Sequence, residues 1–181
     1  MKIIKPFMTI AAAAMLSALI FSAPVFAQES PKLSDPEVAS VAVVANQIDI
    51  SYGEIAKERS KNADILKFAE TMISDHKAVI AQAAALVKKL GVTPKDNAVS
   101  QKLLADAEKT KTMLRSKSGK AFDKAYIDNE VAYHKAVIAA VEGLLIPETD
   151  NGELKSLLQN VVPALKTHLE HAIMVQNKIS K

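Results

Sequence analysis

The sequence predicts an all-α fold, arranged as an antiparallel four-helix bundle with one extra short helix. Apolar residues recur at steps of three and four along four long segments, which is the period of an amphipathic helix. Only 5 of the 181 residues are glycine, and the β-branched residues follow the same spacing, so no segment has the alternating pattern of a strand. Short runs of turn-forming residues separate the segments, which favours antiparallel neighbours.

The first 27 residues have the features of a secretory signal peptide and are expected to be absent from the folded domain. Lys2 and Lys5 supply its positive charge, and residues 7–21 are almost wholly apolar. Residues 25–27 suit a signal-peptidase site. The apolar run is short for a membrane span, so we expect cleavage after Ala27 and treat an uncleaved N-terminal anchor as the alternative.

The rest of the chain is expected to be one exported domain. Cleavage leaves a short linker over residues 28–33 and a single helical bundle over 34–181, without a transmembrane segment, in a bacterial periplasm. No cysteine is present, which excludes a lipoprotein anchor, disulfides and thiolate ligands. Two of the 23 basic residues fall in the leader, so the mature chain nearly balances its 20 acidic residues. Its lysines are scattered, and no nucleic-acid partner is expected.

The first two helices are predicted from their end signals. Ser34 to Glu37 form a capping box with proline in the first turn, which opens a helix running to about Arg59. Asn62 can cap a second helix, and Gly91 ends it. One apolar stripe along this second helix contains Ile65, Ala69, Met72, His76, Val79, Ala83, Leu86 and Leu90.

A shorter and a longer helix are expected next. After a turn over residues 93–97, apolar residues over 99–114 predict a short helix that ends near Ser118-Gly119. The segment from about Lys120 to Leu145 is helical again, and its apolar surface is wide enough to imply burial on more than one side.

The last helix follows a break over residues 147–152. Asp150 and Glu153 predict a second capping box at its start. Pro163 lies inside this helix, where it removes one backbone hydrogen bond and is expected to kink the helix around the core.

Five ionisable residues in the middle of the long helices are the candidate functional site. His76, His134 and His168 each lie near the centre of a separate helix, on or beside its apolar face, where histidine is uncommon. Asp49 takes the equivalent position on the first helix, and Glu130 lies one turn before His134. Antiparallel helices of similar length share a midplane, so these five side chains, the polar layer, are expected to lie together.

Two kinds of role fit the polar layer. Its imidazoles and carboxylates could bind a transition metal, for which iron, manganese, zinc and copper are all chemically suitable. Alternatively, the groups could satisfy each other's hydrogen bonds and fix helix packing, or sense mild acid through the imidazoles. His171 and Asp75 lie beside the layer and are expected to be solvated or to support it.

Four sequence segments carry a family resemblance. They are Asp49-Ile50 with Ile55-Ala56, Met72 to His76, Phe122 to Tyr126 with His134, and Val162 to Leu169. On these segments the chain resembles the domain of unknown function 4142 family, secreted bacterial proteins described as ferritin-like. The resemblance spans nearly the whole mature chain and implies a ferritin-like helical bundle without an established activity.

The sequence departs from di-iron enzymes of ferritin-like fold. Those enzymes place a Glu on each of two helices and a Glu-x-x-His motif on each of the other two. Here Ile73 and Leu165 stand three residues before His76 and His168, and Asp49 replaces the family's usual Glu. The carboxylates needed to bridge two irons are missing, which argues against ferroxidase or oxygenase chemistry.

Binding or structural roles are therefore favoured over an enzymatic one. No nucleotide loop and no Ser-His-Asp arrangement is found, and no catalytic or organic-cofactor residue is assigned. The leading hypothesis is an exported bundle that binds a transition metal at the polar layer. The alternative is a structural or stress-related envelope protein whose exposed helix faces meet a protein partner or the membrane surface. The oligomeric state is left open.

Overall fold

The computed structural model describes residues 32–180, and every regular element within them is helical, which confirms the all-α prediction. The elements are α1 (Asp35–Arg59), α2 (Ala63–Leu90), α3 (Ala98–Arg115), α4 (Gly119–Ala140), a π-helical segment (Val141–Leu145), the single turn α5 (Ile146–Glu148) and α6 (Gly152–Ile179). The predicted signal peptide over 1–27 lies outside the described residues. Among the helices that are described, none is long and apolar enough to cross a bilayer.

The helix ends follow the predicted cap signals at α1 and α2. The Glu37 carboxylate accepts hydrogen bonds from the Ser34 backbone N–H at 3.0 Å and from its hydroxyl at 2.7 Å. These bonds lower the pKa of Glu37 to about 2. The Asn62 side chain accepts from the Asp64 N–H, and Gly91 closes α2 with a left-handed φ of 64°.

The predicted capping box of Asp150 and Glu153 is wrong. Asn151 is the N-cap of α6, and its Oδ1 accepts from the N–H groups of Glu153 and Leu154 at 3.0 Å. The Asp150 carboxylate instead pairs with Lys32 at 2.8 Å. Asp150 and Asn151 are both of residue types that cap helices. The Asp35 carboxylate accepts the backbone N–H groups of both, and this fixes the turn so that Asn151 takes the N-cap position and the helix starts one residue later than predicted.

The corrected cap leads to a test of stability. Asn151→Ala removes the side-chain acceptor for two orphan N–H groups and is expected to lower the free energy of unfolding by about 1 kcal/mol. Asp150→Ala removes only an exposed ion pair and is the matched control, expected to change stability little. Urea unfolding followed by circular dichroism measures both variants. A larger loss from Asp150→Ala would contradict the assignment.

Four helices contact one another in the cyclic order α1, α2, α6, α4, and α3 packs mainly on α1. Lys178 near the end of α6 pairs with Asp64 at the start of α2 at 2.7 Å, so these two helices are antiparallel. Arg59 at the end of α1 donates to the carbonyl of Lys117 just before α4, so α1 and α4 are also antiparallel. Short connections make the α1–α2 and α4–α6 neighbours antiparallel as well.

Two apolar clusters fill the interior, and the histidines lie between them. On α4 the first cluster ends at Val131 and the second begins at Ile138. On α6 the order is reversed: the buried residues of the second cluster end at Leu165, and those of the first cluster begin at Ala172. His134 and His168 therefore occupy the level at which one cluster gives way to the other.

The second half of α2 is less buried than its apolar stripe predicts. Its apolar stripe continues after His76, but no residue of α2 beyond His76 is buried. Val79, Ala83, Leu86 and Leu90 are all half-buried. The buried residues of the second apolar cluster come from α1, the π-helical segment, α4 and α6. Leu86 packs against the edge of this cluster, whereas Val79 and Ala83 border a cavity.

Candidate metal centre

The five residues of the polar layer meet in the interior, and all five are buried. Asp49 Oδ2 lies 3.3 Å from His76 Nε2 and 3.5 Å from His134 Nε2. The ring of His168 is 5.3 Å from that of His76 and 5.6 Å from that of His134, measured between centroids. Glu130 Oε2 is 3.7 Å from His134 Nδ1. The mid-helix alignment predicted from sequence is thus the alignment of the structure.

Each of these three histidines is oriented by one hydrogen bond to an acceptor outside the ligand cluster. The pairs are His76 Nδ1 with Asn46 Oδ1 at 2.7 Å, His134 Nδ1 with the Glu130 backbone carbonyl at 3.0 Å, and His168 Nε2 with Asp75 Oδ2 at 2.9 Å. Since the three partners can only accept, the hydrogen of each neutral ring lies on this nitrogen. The opposite nitrogen of each ring therefore carries a lone pair.

The three histidines converge, and each has one nitrogen without a hydrogen-bond partner in the part of the chain that the structure describes. His76 Nε2, His134 Nε2 and His168 Nδ1 are buried and have no hydrogen-bond partner among the described residues. One ligand atom from each of these residues lies within 4.8 Å of the other two. A histidine that ligates a metal usually donates its other ring N–H to a carboxylate or carbonyl, which fixes its tautomer and orientation. All three rings have this arrangement.

The carboxylates of the layer are also short of partners. Both side-chain oxygens of Asp49 and both of Glu130 are buried and form no close hydrogen bond with the described residues, although the side-chain amide of Asn129 is near enough to Glu130 to act against the rise in its pKa. Together with His134 they form a second group whose ligand atoms lie within 4.8 Å of one another. Because a buried carboxylate without a partner is costly, these oxygens are suited to a cation that supplies the missing interaction.

Burial controls the protonation of the cluster. Desolvation raises the pKa of Asp49 to about 8 and raises the pKa of Glu130 well above its ordinary value. It lowers the pKa of His76 to about 3 and that of His134 to about 4, with neighbouring imidazoles adding to the shift. Without a cation the interior therefore favours the neutral forms of these four groups. A bound divalent ion would reverse this preference for the carboxylates and keep the imidazoles neutral.

Some residues next to the polar layer hydrogen-bond to its histidines, and others do not. Asp75, expected beside the layer, supports His168, and Asn46 is a support that sequence analysis missed. Its signal was available, because Asn46 lies one turn before Asp49 on the same helix. His171 lies outside the layer, edge-on to the ring of Phe68 at 5.1 Å.

A cavity of about 360 Å³ adjoins the polar layer. His76, His134, His168 and Asp49 line one end of it, and the half-buried apolar face of α2 lines its side. The layer is therefore reached through an apolar space and is not enclosed by packed side chains on all sides.

Fold and site together define an all-helical protein with a buried cluster of histidines and carboxylates. A family model described as "Domain of unknown function (DUF4142)" matches residues 22–175, and the chain belongs to this family. No curated protein and no solved structure matches the chain.

Proposed function

We propose that this protein is an exported, ferritin-like antiparallel four-helix bundle that binds a transition-metal ion at the polar layer. His76, His134, His168 and Asp49 supply the first ligands, and Glu130 adds a carboxylate beside His134. The observation that carries the proposal is the convergence of three buried imidazoles, each of which has one nitrogen without a hydrogen-bond partner among the described residues and its other nitrogen held by an acceptor.

The donor set favours certain ions. Imidazole and carboxylate ligands suit iron, manganese, zinc and copper(II), whereas the absence of cysteine disfavours ions that require thiolates. We propose one ion per chain, because His134 is shared by both groups of candidate ligands and the glutamates that bridge two irons in ferritin-like enzymes have no counterpart at Ile73 and Leu165. Non-enzymatic metal binding is the role that we propose.

A self-sufficient packing layer fits the contacts less well. Such a layer would pair its imidazoles and carboxylates with each other. Asp49 Oδ2 approaches His76 Nε2 to 3.3 Å and His134 Nε2 to 3.5 Å, but seven side-chain atoms of the five residues form no hydrogen bond within the described residues: Asp49 Oδ1 and Oδ2, His76 Nε2, Glu130 Oε1 and Oε2, His134 Nε2 and His168 Nδ1. Each unpartnered group carries a desolvation cost that a bound cation would offset.

Metal content tests the proposal. The untagged chain is expressed with its leader and purified, and bound metals are measured by mass spectrometry. We expect one ion per chain in the wild type and essentially none in a variant with His76, His134 and His168 replaced by glutamine. His171→Gln is the matched control, since His171 lies on the same helix as His168 but outside the layer. Absence of metal, with no binding on titration of iron, manganese, zinc or copper, would overturn the proposal.

Export is proposed on the sequence pattern of the leader. We expect the mature protein to begin at Gln28 and to fractionate with the periplasm. Edman sequencing of the purified protein and fractionation of expressing cells measure this. Recovery of the protein with Met1 intact would contradict cleavage.

Asn46 is expected to act as a positioning residue for the metal. Asn46→Ala removes the acceptor that orients His76 and should weaken zinc affinity by roughly 10–100-fold. Gln47→Ala changes an exposed neighbour on the same helix and should leave the affinity unchanged. Competition titration with a chromophoric chelator gives both dissociation constants. Equal affinities in the two variants would show that the hydrogen bond from His76 has no role in binding.

A further inference from the structure

The cavity beside the polar layer has one polar end and an apolar remainder. The lining residues between the polar layer and the far end of the cavity are all alanine, valine, leucine or isoleucine. On the long helices they lie within 39–45 of α1, 79–87 of α2, 136–140 of α4 and 154–165 of α6. The polar lining residues lie at the level of the layer or on α3, and no lysine or arginine is among them. A ligand that matches these walls has an apolar body and a single polar end.

The length of the cavity favours an extended body. From His76 to Val87 the lining of α2 advances eleven residues, which is roughly 16 Å along the helix. This length suits an extended alkyl chain, and the volume of about 360 Å³ is within the range of pockets that hold small molecules. Alanines on all four helices, such as Ala83 on α2, leave this space open.

The same region leaves apolar surface without a partner in the described chain. Val79, Ile80, Ala83 and Val87 line the cavity and are only half-buried. Apolar surface of this kind gains free energy when a ligand removes it from water. An alkyl chain lying along α2 would pack against this half-buried apolar surface and remove it from water.

We propose that this cavity binds a medium-chain aliphatic carboxylic acid, with its alkyl chain along α2 and its carboxylate at the metal in the polar layer. The placement of the carboxylate rests on the proposed metal centre. Because the lining includes the carboxylate of Asp106 on α3 and no lysine or arginine, the proposed metal would be the cation that binds the carboxylate of the ligand. The placement of the chain rests on the cavity alone.

The first measurement is calorimetric titration of decanoate into zinc-loaded and metal-free protein. We expect saturable binding that is at least tenfold tighter to the zinc-loaded form. Octanoate has two fewer methylene groups and should bind roughly tenfold more weakly than decanoate. No saturable binding of decanoate to either form would overturn the proposal, and equal affinity for both forms would overturn the position of the carboxylate.

A pair of neighbouring alanines provides the matched variants. Ala83→Phe places a ring in the cavity and should weaken decanoate binding at least tenfold, whereas Ala84→Phe, on the exposed face of α2, should leave it unchanged. Circular dichroism verifies that both variants are folded. Unchanged binding by a folded Ala83→Phe would overturn the proposal.

The outcomes for the metal and for the cavity are separable. Metal content is measured without decanoate, and the chain-length series needs only the wild type. Metal binding without decanoate binding removes the cavity proposal and leaves the metal centre. Decanoate binding that depends on Ala83, in a protein that binds no metal, removes the metal centre and the carboxylate position while the chain position stands.

Discussion

Zinc at a thousand times its dissociation constant is expected to raise the Tm of the metal-free protein by roughly 8–16 °C. Binding to the folded state alone at this excess stabilises it by about 4 kcal/mol. In a domain of this size, 1 kcal/mol corresponds to roughly 2–4 °C. The ligands come from α1, α2, α4 and α6, so the unfolded chain has no equivalent site.

Variants of the layer separate this effect from nonspecific binding. His134→Gln should abolish the zinc-dependent rise in Tm, because His134 belongs to both groups of converging ligand atoms. His171→Gln should retain it. A chelator should return the wild type to its starting Tm. If zinc, iron, manganese and copper all leave the Tm of the wild type unchanged, or if His134→Gln responds like the wild type, the polar layer is not a metal site.

The fold and the membership of the polar layer could be predicted because both depend on periodic features of the chain. Helical spacing places a residue on a face, and cap signals such as Asn62 and Gly91 place it along the axis. With four helices of similar length, these two coordinates suffice to bring Asp49, His76 and His134 to one level.

The orientation of the site could not be predicted from the same features. Which ring nitrogen faces inward depends on rotamers and on single partners such as Asn46 and Asp75, and no periodicity encodes these. The cavity was not predicted for a related reason. The stripe through Val79 and Ala83 has the pattern of a packed core, and only the positions of the facing helices show that no side chain of residues 32–180 fills the space beside it.

The metal-free protein is expected to lose stability as the pH rises from about 6.5 to 8, by about 1 kcal/mol per pH unit for each buried carboxyl group that stays protonated. Burial raises the pKa of Asp49 to about 8 in the folded protein, against an ordinary value of 3.8. Between these values the folded state holds a proton that the unfolded state has lost, so stability falls as the pH rises. The raised pKa of Glu130 acts in the same direction.

The histidines have the opposite effect on stability, but only at lower pH. Burial lowers the pKa of His76 to about 3 and that of His134 to about 4, against an ordinary value of 6.5. Below about 6.5 the unfolded chain therefore binds protons that the folded chain does not, and stability rises with pH over that range. The two effects offset one another between about 4.5 and 6.5, where we expect a shallow profile, and the carboxyl groups alone act above it.

Substitution of the carboxyl groups isolates their contribution. Asp49→Asn with Glu130→Gln removes both titrating protons and preserves size, so the stability of this metal-free double variant should be nearly independent of pH between 6.5 and 8. Urea unfolding at a series of pH values, in the presence of a chelator, measures both proteins. Bound metal should abolish the decline in the wild type, because the ion replaces the proton on Asp49. If the free energy of unfolding of the wild type instead rises over this range, the prediction is wrong. The carboxyl groups would then be ionised without a metal, and an interaction from outside the polar layer would have to stabilise their buried charge.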